Sequence, residues 1–397
     1  MKMGFTIRHV LVLLSAALIG SLLNLGVTVC LGNEPVMTAV FRSGENGINR
    51  YRIPGIIATA SGTLIAYCEA RRNSSADWGE IEVHMSRSTD NGNTWSLPVF
   101  VAHHGDRIEG NPTKKTDVGR SEQTVNNPVA ILDPKTGGIE FLYCVNYSRC
   151  FSMQSLDDGL TWSRPVEITS SFEPFRGQYD WNVIATGPGH GIALASGRLV
   201  VPIWLAYGKS GAHAPSATGT IYSDDSGKSW NAGSIVVPNK PPYINPNEST
   251  LAKLPGDRVI MVTRSHSLPS RKIVSISPNG VSDWSEPQFA DDLWEPICMA
   301  GLVTHPAKPG MLILSSPRSL ATSPNGQRIP GKGAPRKNLS IQMSQDEGKT
   351  WGAPKTLEIG SSAYSDLAVL PDQSVVCLFE RGESIFCARF SLDWISE

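Results

Sequence analysis

Three arginines stand far apart in the sequence, one near the start, one past the middle and one late. Arg52 lies in Tyr51-Arg52-Ile53-Pro54, Arg264 follows the apolar segment 259–263, and Arg336 precedes the segment 338–341. A guanidinium group binds a carboxylate through paired N–H donors, so arginines that converge form a site for an acidic ligand. The three arginines are distant in sequence. They can form a site for an acidic ligand only if the fold brings them together.

A phrase of eight residues, Ser-x-Asp-x-Gly-x-Thr/Ser-Trp, recurs along the chain. Its copies occupy 88–95, 155–162, 223–230 and 344–351, and a degenerate fifth copy without the Asp occupies 277–284. The tryptophans, at 95, 162, 230, 284 and 351, are 67, 68, 54 and 67 residues apart. A near-constant step of this kind indicates one supersecondary unit repeated in space.

The repeated phrase has the chemistry of a turn. Its Asp can accept hydrogen bonds from nearby backbone N–H groups, and its Gly can adopt a positive φ. Strand-like segments such as 81–85 and 219–222 precede it, and the Trp that ends it has a large apolar surface to bury. The phrase therefore predicts one β-hairpin turn in each unit. Metal binding or acid–base work by these Asp residues is the alternative, and their repetition argues against it.

The repeats predict an all-β fold, a six-bladed β-propeller. Removal of 32 residues from 397 leaves 365, and at about 60 residues for each four-stranded unit this length holds about six units. The innermost strands of all the blades line one central channel. Arg52, Arg264 and Arg336 can therefore converge there.

The N-terminus reads as a secretory signal peptide, residues 1–32. Lys2 and Arg8 precede an apolar run from Val10 to Leu25, and cleavage after Gly32 would leave 33–397 as a single propeller domain. Lipid attachment at Cys30 and an uncleaved anchor helix are the alternatives. We expect a secreted, periplasmic or lumenal protein whose mature chain has no stable insertion in a membrane, because no later segment reaches the ~18 apolar residues of a span.

Charge and cysteine usage limit the possible partners. The net charge of −1 gives no indication of nucleic acid or of an acidic membrane surface as a partner. Six cysteines follow residue 32, at 68, 144, 150, 298, 377 and 387. The pairs Cys144/Cys150 and Cys377/Cys387 could each face across a hairpin and form disulfides, or all could be buried thiols. No spacing resembles a zinc site.

Several segments, taken together and in this order, resemble the secreted and lysosomal exo-sialidases, or neuraminidases, whose Asp boxes are the repeats described above. The resemblance covers the chain from Phe41 to Phe390. It depends on these segments: Tyr-Arg-Ile-Pro at 51–54, Glu-Ala-Arg-Arg at 69–72, Asp-Trp-Gly at 77–79, Asn-Pro at 127–128, Gly-Pro-Gly-His-Gly at 187–191, Asn-Glu-Ser at 247–249, Arg-Lys-Asn-Leu at 336–339 and Ala-Tyr-Ser-Asp-Leu at 363–367.

The resemblance implies a role for eight residues. Arg52, Arg264 and Arg336 match the triad that binds the substrate carboxylate, Arg71 matches a residue near O4 of the sugar, and Glu380 matches the carboxylate that orients Arg52. Asp77 matches the acid/base residue, and Tyr364 and Glu248 match the nucleophile and its base.

Arg318 and Arg328 are rivals for the third triad position. We prefer Arg336 because it leads directly into the strand before the fourth full box.

The chemistry of sialic acid explains a tyrosine nucleophile. The sugar carries its carboxylate on the anomeric carbon, so a carboxylate nucleophile would be repelled there, whereas a neutral phenol would not. A phenol with a pKa of about 10 needs a base, and Glu248 can accept its proton. Sialidases with a Tyr nucleophile are a recognised exception to the rule of two carboxylates.

The resemblance therefore implies an exo-alpha-sialidase that removes terminal α-linked sialic acids from glycoproteins, glycolipids or oligosaccharides. It implies retention of configuration through a covalent tyrosyl-sialoside, without cofactor or metal.

One rival is a close variant that acts on a deaminated sialic acid, transfers the sialyl group or releases an anhydro sugar. Trp181, in a loop-like stretch, is a candidate for the wall around the N-acetyl group. The other rival is a non-catalytic propeller that only binds glycan or protein, and the presence of Asp77, Glu248 and Tyr364 argues against it.

Overall fold

The computed structural model describes residues 34–73, 75–103, 107–108, 122–209, 212–322, 325–329 and 335–397. The chain begins with β1 (Val36–Phe41) and then forms a four-stranded sheet from β2 (Arg50–Ala58), β3 (Leu64–Arg71), β4 (Ile81–Ser88) and β5 (Val99–Phe100). The second sheet contains β6 (Val125–Leu132), β7 (Ile139–Val145), β8 (Arg149–Ser155) and β9 (Val166–Glu167), and a 3-10 helix, Thr169–Gly177, follows it.

The third and fourth sheets follow in sequence. The third contains β10 (Val183–Thr186), β12 (Ile192–Ala193), β13 (Leu199–Ala206), β14 (Ser216–Ser223) and β15 (Asn231–Val237), while the short β11 (Gly189–His190) pairs with β6 of the second sheet. The fourth contains β16 (Ser249–Lys253), β17 (Val259–Thr263), β18 (Arg271–Ser277) and β19 (Gln288–Trp294), with a 3-10 turn at Pro255–Asp257.

The last part of the chain forms a seven-stranded sheet. It contains β20 (Gly301–Thr304), β21 (Leu312–Pro317), β24 (Lys337–Ser344), β25 (Lys355–Val369), β26 (Val375–Arg381), β27 (Ser384–Phe390) and, at its edge, β1. A hairpin of β22 (Ala321–Thr322) and β23 (Arg328–Ile329) lies outside this sheet, and α1 (Leu392–Ser396) ends the chain. The 15-residue β25 pairs with β24 through its first half and with β26 through its second half.

The all-β propeller arrangement is confirmed, but six separate blades are not observed among the described residues. The described residues form four sheets of four or five strands and one of seven, because β25 runs without a break from one group of strands into the next. Apolar clusters fill the spaces between successive sheets. Ile65 and Tyr67 pack with Phe141 of the second sheet. Leu64, on the opposite face, packs with Leu378 of β26, so the last sheet closes the ring against the first.

The Asp boxes are turns, as predicted. In the first box Asp90 accepts hydrogen bonds from the backbone N–H of Thr94 at 2.9 Å and from its hydroxyl at 2.6 Å, and Gly92 has a φ of 85°. The same two bonds recur at Asp157, Asp225 and Asp346. In the degenerate box Asn279 replaces the Asp, and its side-chain oxygen accepts from two backbone N–H groups. Each box follows the third strand of its unit, and its Asp serves the turn.

The six cysteines of the described chain are buried free thiols. Cys144 and Cys150 are direct partners across the hairpin of β7 and β8, as predicted for cysteines that face each other across a hairpin. The proposed pairing of Cys377 with Cys387 is wrong. Cys377 lies opposite Ala388, and Cys387 lies opposite Leu378, so the two thiols point to opposite faces of the sheet.

The signal peptide predicted for residues 1–32, together with the alternatives at Cys30, lies outside the described residues and stays a prediction. Within the described ranges no helix is long and apolar enough to cross a membrane.

Candidate active site

The eight predicted site residues lie together at one end of the ring of sheets. Six of them line a single cavity of about 250 Å³, and the other two, Arg71 and Glu380, contact the lining residues. The six are Arg52, Asp77, Glu248, Arg264, Arg336 and Tyr364. They come from the first, fourth and seven-stranded sheets, so the convergence of distant segments predicted from the repeats is observed.

A β-bulge directs Arg52 into the cavity. The register between β2 and β3 shifts between Arg52 and Gly55, and Ile53 adopts a φ of 60°. The carboxylate of Glu380 holds this irregular backbone, because its Oε1 accepts from the Ile53 N–H at 3.0 Å and from Arg52 Nε at 3.1 Å. Its Oε2 accepts from Arg52 Nη2 at 3.4 Å. One end of the guanidinium is thus fixed, and Nη1 remains directed toward Asp77 at 3.6 Å.

Tyr364, Glu248 and Arg264 form a compact buried group. The Tyr364 hydroxyl donates to Glu248, with distances of 2.8 Å to Oε1 and 2.6 Å to Oε2. Nη1 of Arg264 donates to the Tyr364 oxygen at 2.7 Å and also contacts Oε2 of Glu248. Tyr364 is 4% exposed and Glu248 7%. The arrangement places an acceptor for the phenolic proton and a positive charge beside the same oxygen.

Arg336 completes the set of three cations. Its guanidinium carbon lies 5.2 Å from the centre of the Tyr364 ring, and that of Arg52 lies 5.1 Å from it. Nη2 of Arg336 donates to the carbonyl of Ile297 at 2.7 Å. The rival Arg318 instead stacks on Trp294 at 4.1 Å and does not line the cavity. The side chain of the other rival, Arg328, lies outside the described residues.

A buried ion pair supports the backbone behind Arg264 and Arg336. Lys272 and Glu295, each 1% exposed at the side chain, are 3.0 Å apart. Glu295 accepts from the Cys298 N–H at 2.9 Å and the Ser265 N–H at 3.3 Å, and Lys272 contacts the Cys298 carbonyl. Ser265 follows Arg264 in the chain, and Cys298 follows the residue whose carbonyl holds Arg336. The Lys272–Glu295 pair therefore fixes the backbone next to Arg264 and next to Ile297, whose carbonyl binds Arg336.

Asp77 stands at the open side of the cavity. Its side chain is 50% exposed, and Oδ1 lies 3.0 Å from Nη1 of Arg71. Arg71, 1% exposed, is held by Glu69 through Nε at 3.1 Å and Nη2 at 2.7 Å. Burial raises the pKa of Asp77, but the positive charges of Arg71 and Arg52 outweigh it and lower the pKa to about 2. Asp77 is therefore a carboxylate at neutral pH.

Burial also raises the pKa of the Tyr364 phenol well above its usual value near 10. The guanidinium of Arg264 opposes this shift, and the carboxylate of Glu248 adds to it. The phenol is therefore neutral at every pH that an enzyme meets. A neutral phenol becomes a nucleophile only when its proton passes to a neighbour, and Glu248 is in contact with it.

The sequence interpretation missed the aromatic wall of the cavity. Tyr147, at the tip of the hairpin of β7 and β8, and Trp204, in β13, both line it beside His213. The rings of Tyr147 and His213 are 4.4 Å apart, and those of Trp204 and His213 5.2 Å. Nothing in the local sequence singles these residues out. The prediction that Trp181 forms such a wall is wrong, because Trp181 is 3% exposed and packs in the core with Phe172.

Within the described ranges, no three residues of His, Cys, Asp or Glu are grouped so that they could hold a metal ion.

This chain is similar to known sialidases in sequence and in fold. Residues 62–377 match the family model of the BNR repeat-like domain. A sialidase of Bacteroides fragilis is 28% identical over 86% of the chain, and a sialidase of Micromonospora viridifaciens is 26% identical over 93%. The chain spans 62% and 56% of the lengths of these two curated relatives. The solved structure of the Hadza microbial sialidase Hz136 superposes with a TM-score of 0.73 at 26% identity, over 90% of this chain and 69% of that one.

Proposed function

The chain belongs to the Asp-box (BNR-repeat) sialidase family, and from that premise we propose that it is an exo-alpha-sialidase. It is a retaining glycoside hydrolase that removes terminal α-linked sialic acids from glycans. The observation that carries the proposal is the contact of Tyr364 with Glu248 inside a cavity lined by three arginines.

The arginines select the substrate. Arg52, Arg264 and Arg336 bind the sugar carboxylate, because guanidinium groups that line one cavity can hold a carboxylate through paired N–H donors. This placement brings the anomeric carbon, which bears the carboxylate, close to the Tyr364 oxygen. Substrates without the carboxylate lack this anchor.

Tyr364 attacks the anomeric carbon while Glu248 accepts the phenolic proton. The bond to the leaving oxygen breaks, and Asp77 donates a proton to that oxygen. A tyrosyl-sialoside remains. Water then attacks the same carbon, Asp77 accepts a proton from the water, and the phenolic oxygen departs and recovers its proton from Glu248. Two inversions give retention of configuration.

Asp77 must hold a proton when the leaving group departs, although the charges of Arg71 and Arg52 lower its pKa to about 2. Substrate binding supplies the change. The sugar carboxylate neutralises the charge of Arg52, and the glycan covers the exposed side of Asp77, so both effects raise the pKa of Asp77. Asp77 therefore takes up a proton as the substrate binds.

We propose that the seven-stranded sheet consists of two blades that share β25. Together with the four sheets of four or five strands, these give six blades. The six apolar clusters between successive groups of strands support this count. Residues 1–32 are a signal peptide that directs export, and the catalytic domain 33–397 meets sialylated glycans outside the cytoplasm without a cofactor.

Product analysis on α2,3-, α2,6- and α2,8-linked sialosides tests the proposal. NMR of the first-formed product should show α-configured free sialic acid. An anhydro sugar or a sialylated acceptor would instead place the chain among the variants that rearrange or transfer the sugar. Absence of turnover on all substrates, with binding retained, would indicate a lectin-like propeller and refute the hydrolase.

A further inference from the structure

The two thiols near the turn of the hairpin under the cavity wall are placed for a bond. Cys144 in β7 and Cys150 in β8 are direct partners, and both belong to the same apolar cluster. The Cys150 N–H donates to Thr169 Oγ1 at 3.0 Å, and its carbonyl accepts from the Ile168 N–H at 2.8 Å. The backbone N–H and carbonyl of Cys150 therefore point away from β7. Cys144 and Cys150 are consequently a non-hydrogen-bonded pair of the antiparallel ladder.

Partners of this type have Cα atoms about 4.5 Å apart with their side chains on one face. A disulfide requires Cα atoms about 4.4–6.8 Å apart and Cβ atoms that face each other. The hairpin therefore meets the requirement without movement of the backbone. Cys377 and Cys387 provide the contrast: they also flank a tight hairpin, but they lie on opposite faces of the sheet, in different apolar clusters.

We propose that Cys144 and Cys150 form a disulfide when the chain folds in an oxidising environment, and that this bond stabilises the hairpin that carries Tyr147. The proposal does not depend on the sialidase activity. With a small disulfide such as oxidised glutathione, one cysteine thiolate attacks a glutathione sulfur and releases the first glutathione thiol. The second cysteine thiolate then attacks the protein sulfur of the mixed disulfide and releases the second. Two protein thiols are oxidised, and one glutathione disulfide is reduced.

The bond forms before the hairpin is buried. Both thiols are fully buried in the folded protein, and burial, together with the hydrogen bond to Cys144, raises the pKa of the Cys150 thiol. A buried thiol is poorly ionised and out of reach of glutathione, whereas the thiolate is the reacting species. Oxidation therefore accompanies folding.

The backbone at the tip of this hairpin is strained. Asn146 and Tyr147 adopt φ values of 54° and 50°, a conformation that costs non-glycine residues free energy. Neighbouring segments hold the tip: the Asn146 N–H donates to the Thr124 carbonyl at 2.7 Å, and the Tyr147 carbonyl accepts from the Ile184 N–H at 2.8 Å. A covalent bond three residues from Tyr147 on each side would restrict the unfolded hairpin and favour this conformation.

Refolding of the full chain in a glutathione redox buffer tests the proposal. Remaining thiols are alkylated in denaturant, and tryptic peptides are mapped. Cleavage after Arg149 separates Cys144 from Cys150, so the bond appears as two linked peptides. We expect this link, with the cysteines at 68, 298, 377 and 387 alkylated. Cys150→Ser should abolish the link and Cys377→Ser should leave it intact.

The stability of the unsubstituted protein provides a second measurement. The oxidised form should melt about 2–5 °C above the form reduced before refolding. Alkylation of both Cys144 and Cys150 after refolding, or a link through Cys377 or Cys387, would overturn the assignment. Equal melting temperatures for the oxidised and reduced forms would overturn the stabilising role.

Discussion

The phenolic oxygen of Tyr364 lies 2.8 and 2.6 Å from the two carboxylate oxygens of Glu248, a residue 116 positions away in the sequence. Tyr364 comes from the seven-stranded sheet, and Glu248 directly precedes β16 of the fourth sheet. Only closure of the ring of sheets brings them into contact. Because burial keeps the phenol protonated, the contact supplies the step that a tyrosine nucleophile needs, which is removal of its proton.

Substitution of Tyr364 by Phe should abolish most turnover and preserve binding. The change removes the attacking oxygen but keeps the ring that packs beside Arg52 and Arg336. We expect kcat to fall at least about 1,000-fold, while calorimetry still detects binding of a planar, unsaturated sialic acid analogue. Tyr222→Phe, in β14 beneath Arg198, is the matched control and should retain full turnover. Full turnover by Tyr364→Phe would exclude it as the nucleophile.

Arg336→Ala should weaken substrate binding much more than Arg318→Ala. Arg336 lines the cavity, whereas Arg318 stacks on Trp294 outside it. Loss of a charged hydrogen bond to a carboxylate costs about 1.5–3 kcal/mol, so we expect kcat/KM to fall about 10- to 150-fold for Arg336→Ala. Arg318→Ala should change it less than about threefold. The reverse order would show that the third cation of the site was misidentified.

Asp77→Asn should make turnover depend strongly on the leaving group. Asn cannot donate a proton to the leaving oxygen, so hydrolysis of sialyllactose should slow about 100- to 10,000-fold. An aryl sialoside, whose leaving group needs no proton, should lose much less in its first step. Asp224→Asn, at an exposed ion pair with Arg198, serves as the control. An equal loss on both substrates would argue against Asp77 as the general acid.

Glu140 should make stability fall as pH rises. It is 3% exposed, and burial, aided by the nearby charges of Asp133 and Asp225, raises its pKa to about 7 despite hydrogen bonds from Gln154 and Ser152. An unfolded glutamate has a pKa of about 4.3, so the folded state holds the proton more tightly. The resulting stability is complete below about pH 4 and is lost as pH rises through 7.

Glu140→Gln isolates this contribution, because the amide cannot ionise. Urea unfolding at pH 4.5 and pH 8 should show that the unsubstituted protein loses about 3 kcal/mol more than Glu140→Gln between the two values. Exposed Glu173, paired with Arg176, gives a control substitution to Gln that should not alter the pH dependence. Parallel curves for the unsubstituted protein and Glu140→Gln would refute the raised pKa.

The sequence predicts those features that depend on local chemistry repeated along the chain. The Asp boxes are turns because Asp90 and its counterparts each bond two groups four residues on, which depends on spacing alone. The convergence of Arg52 and Arg336 follows from the repeat, since a ring of equivalent sheets directs equivalent strand ends to one place. Both inferences need no knowledge of the packing between sheets.

Features that depend on packing or register could not be predicted in the same way. Trp181 lies in a loop-like sequence, yet Phe172 and Phe175 of the neighbouring 3-10 helix bury it. Cys377 and Cys387 are spaced as hairpin partners, and an offset of one residue in register places them on opposite faces. Tyr147 and Trp204 meet at the cavity only because the second and third sheets are neighbours. Each outcome depends on contacts between distant segments.

Capture of the covalent intermediate tests the central claim most directly. A sialic acid with fluorine at C2 and C3 retains a leaving group but slows hydrolysis of the sugar–enzyme bond, because the C3 fluorine disfavours positive charge at the anomeric carbon. Mass spectrometry of the treated protein should find one added fluorosialosyl group on the phenolic oxygen of Tyr364, and none on Tyr364→Phe. A label on Glu248 or Asp77, or turnover without any labelled protein, would contradict the account.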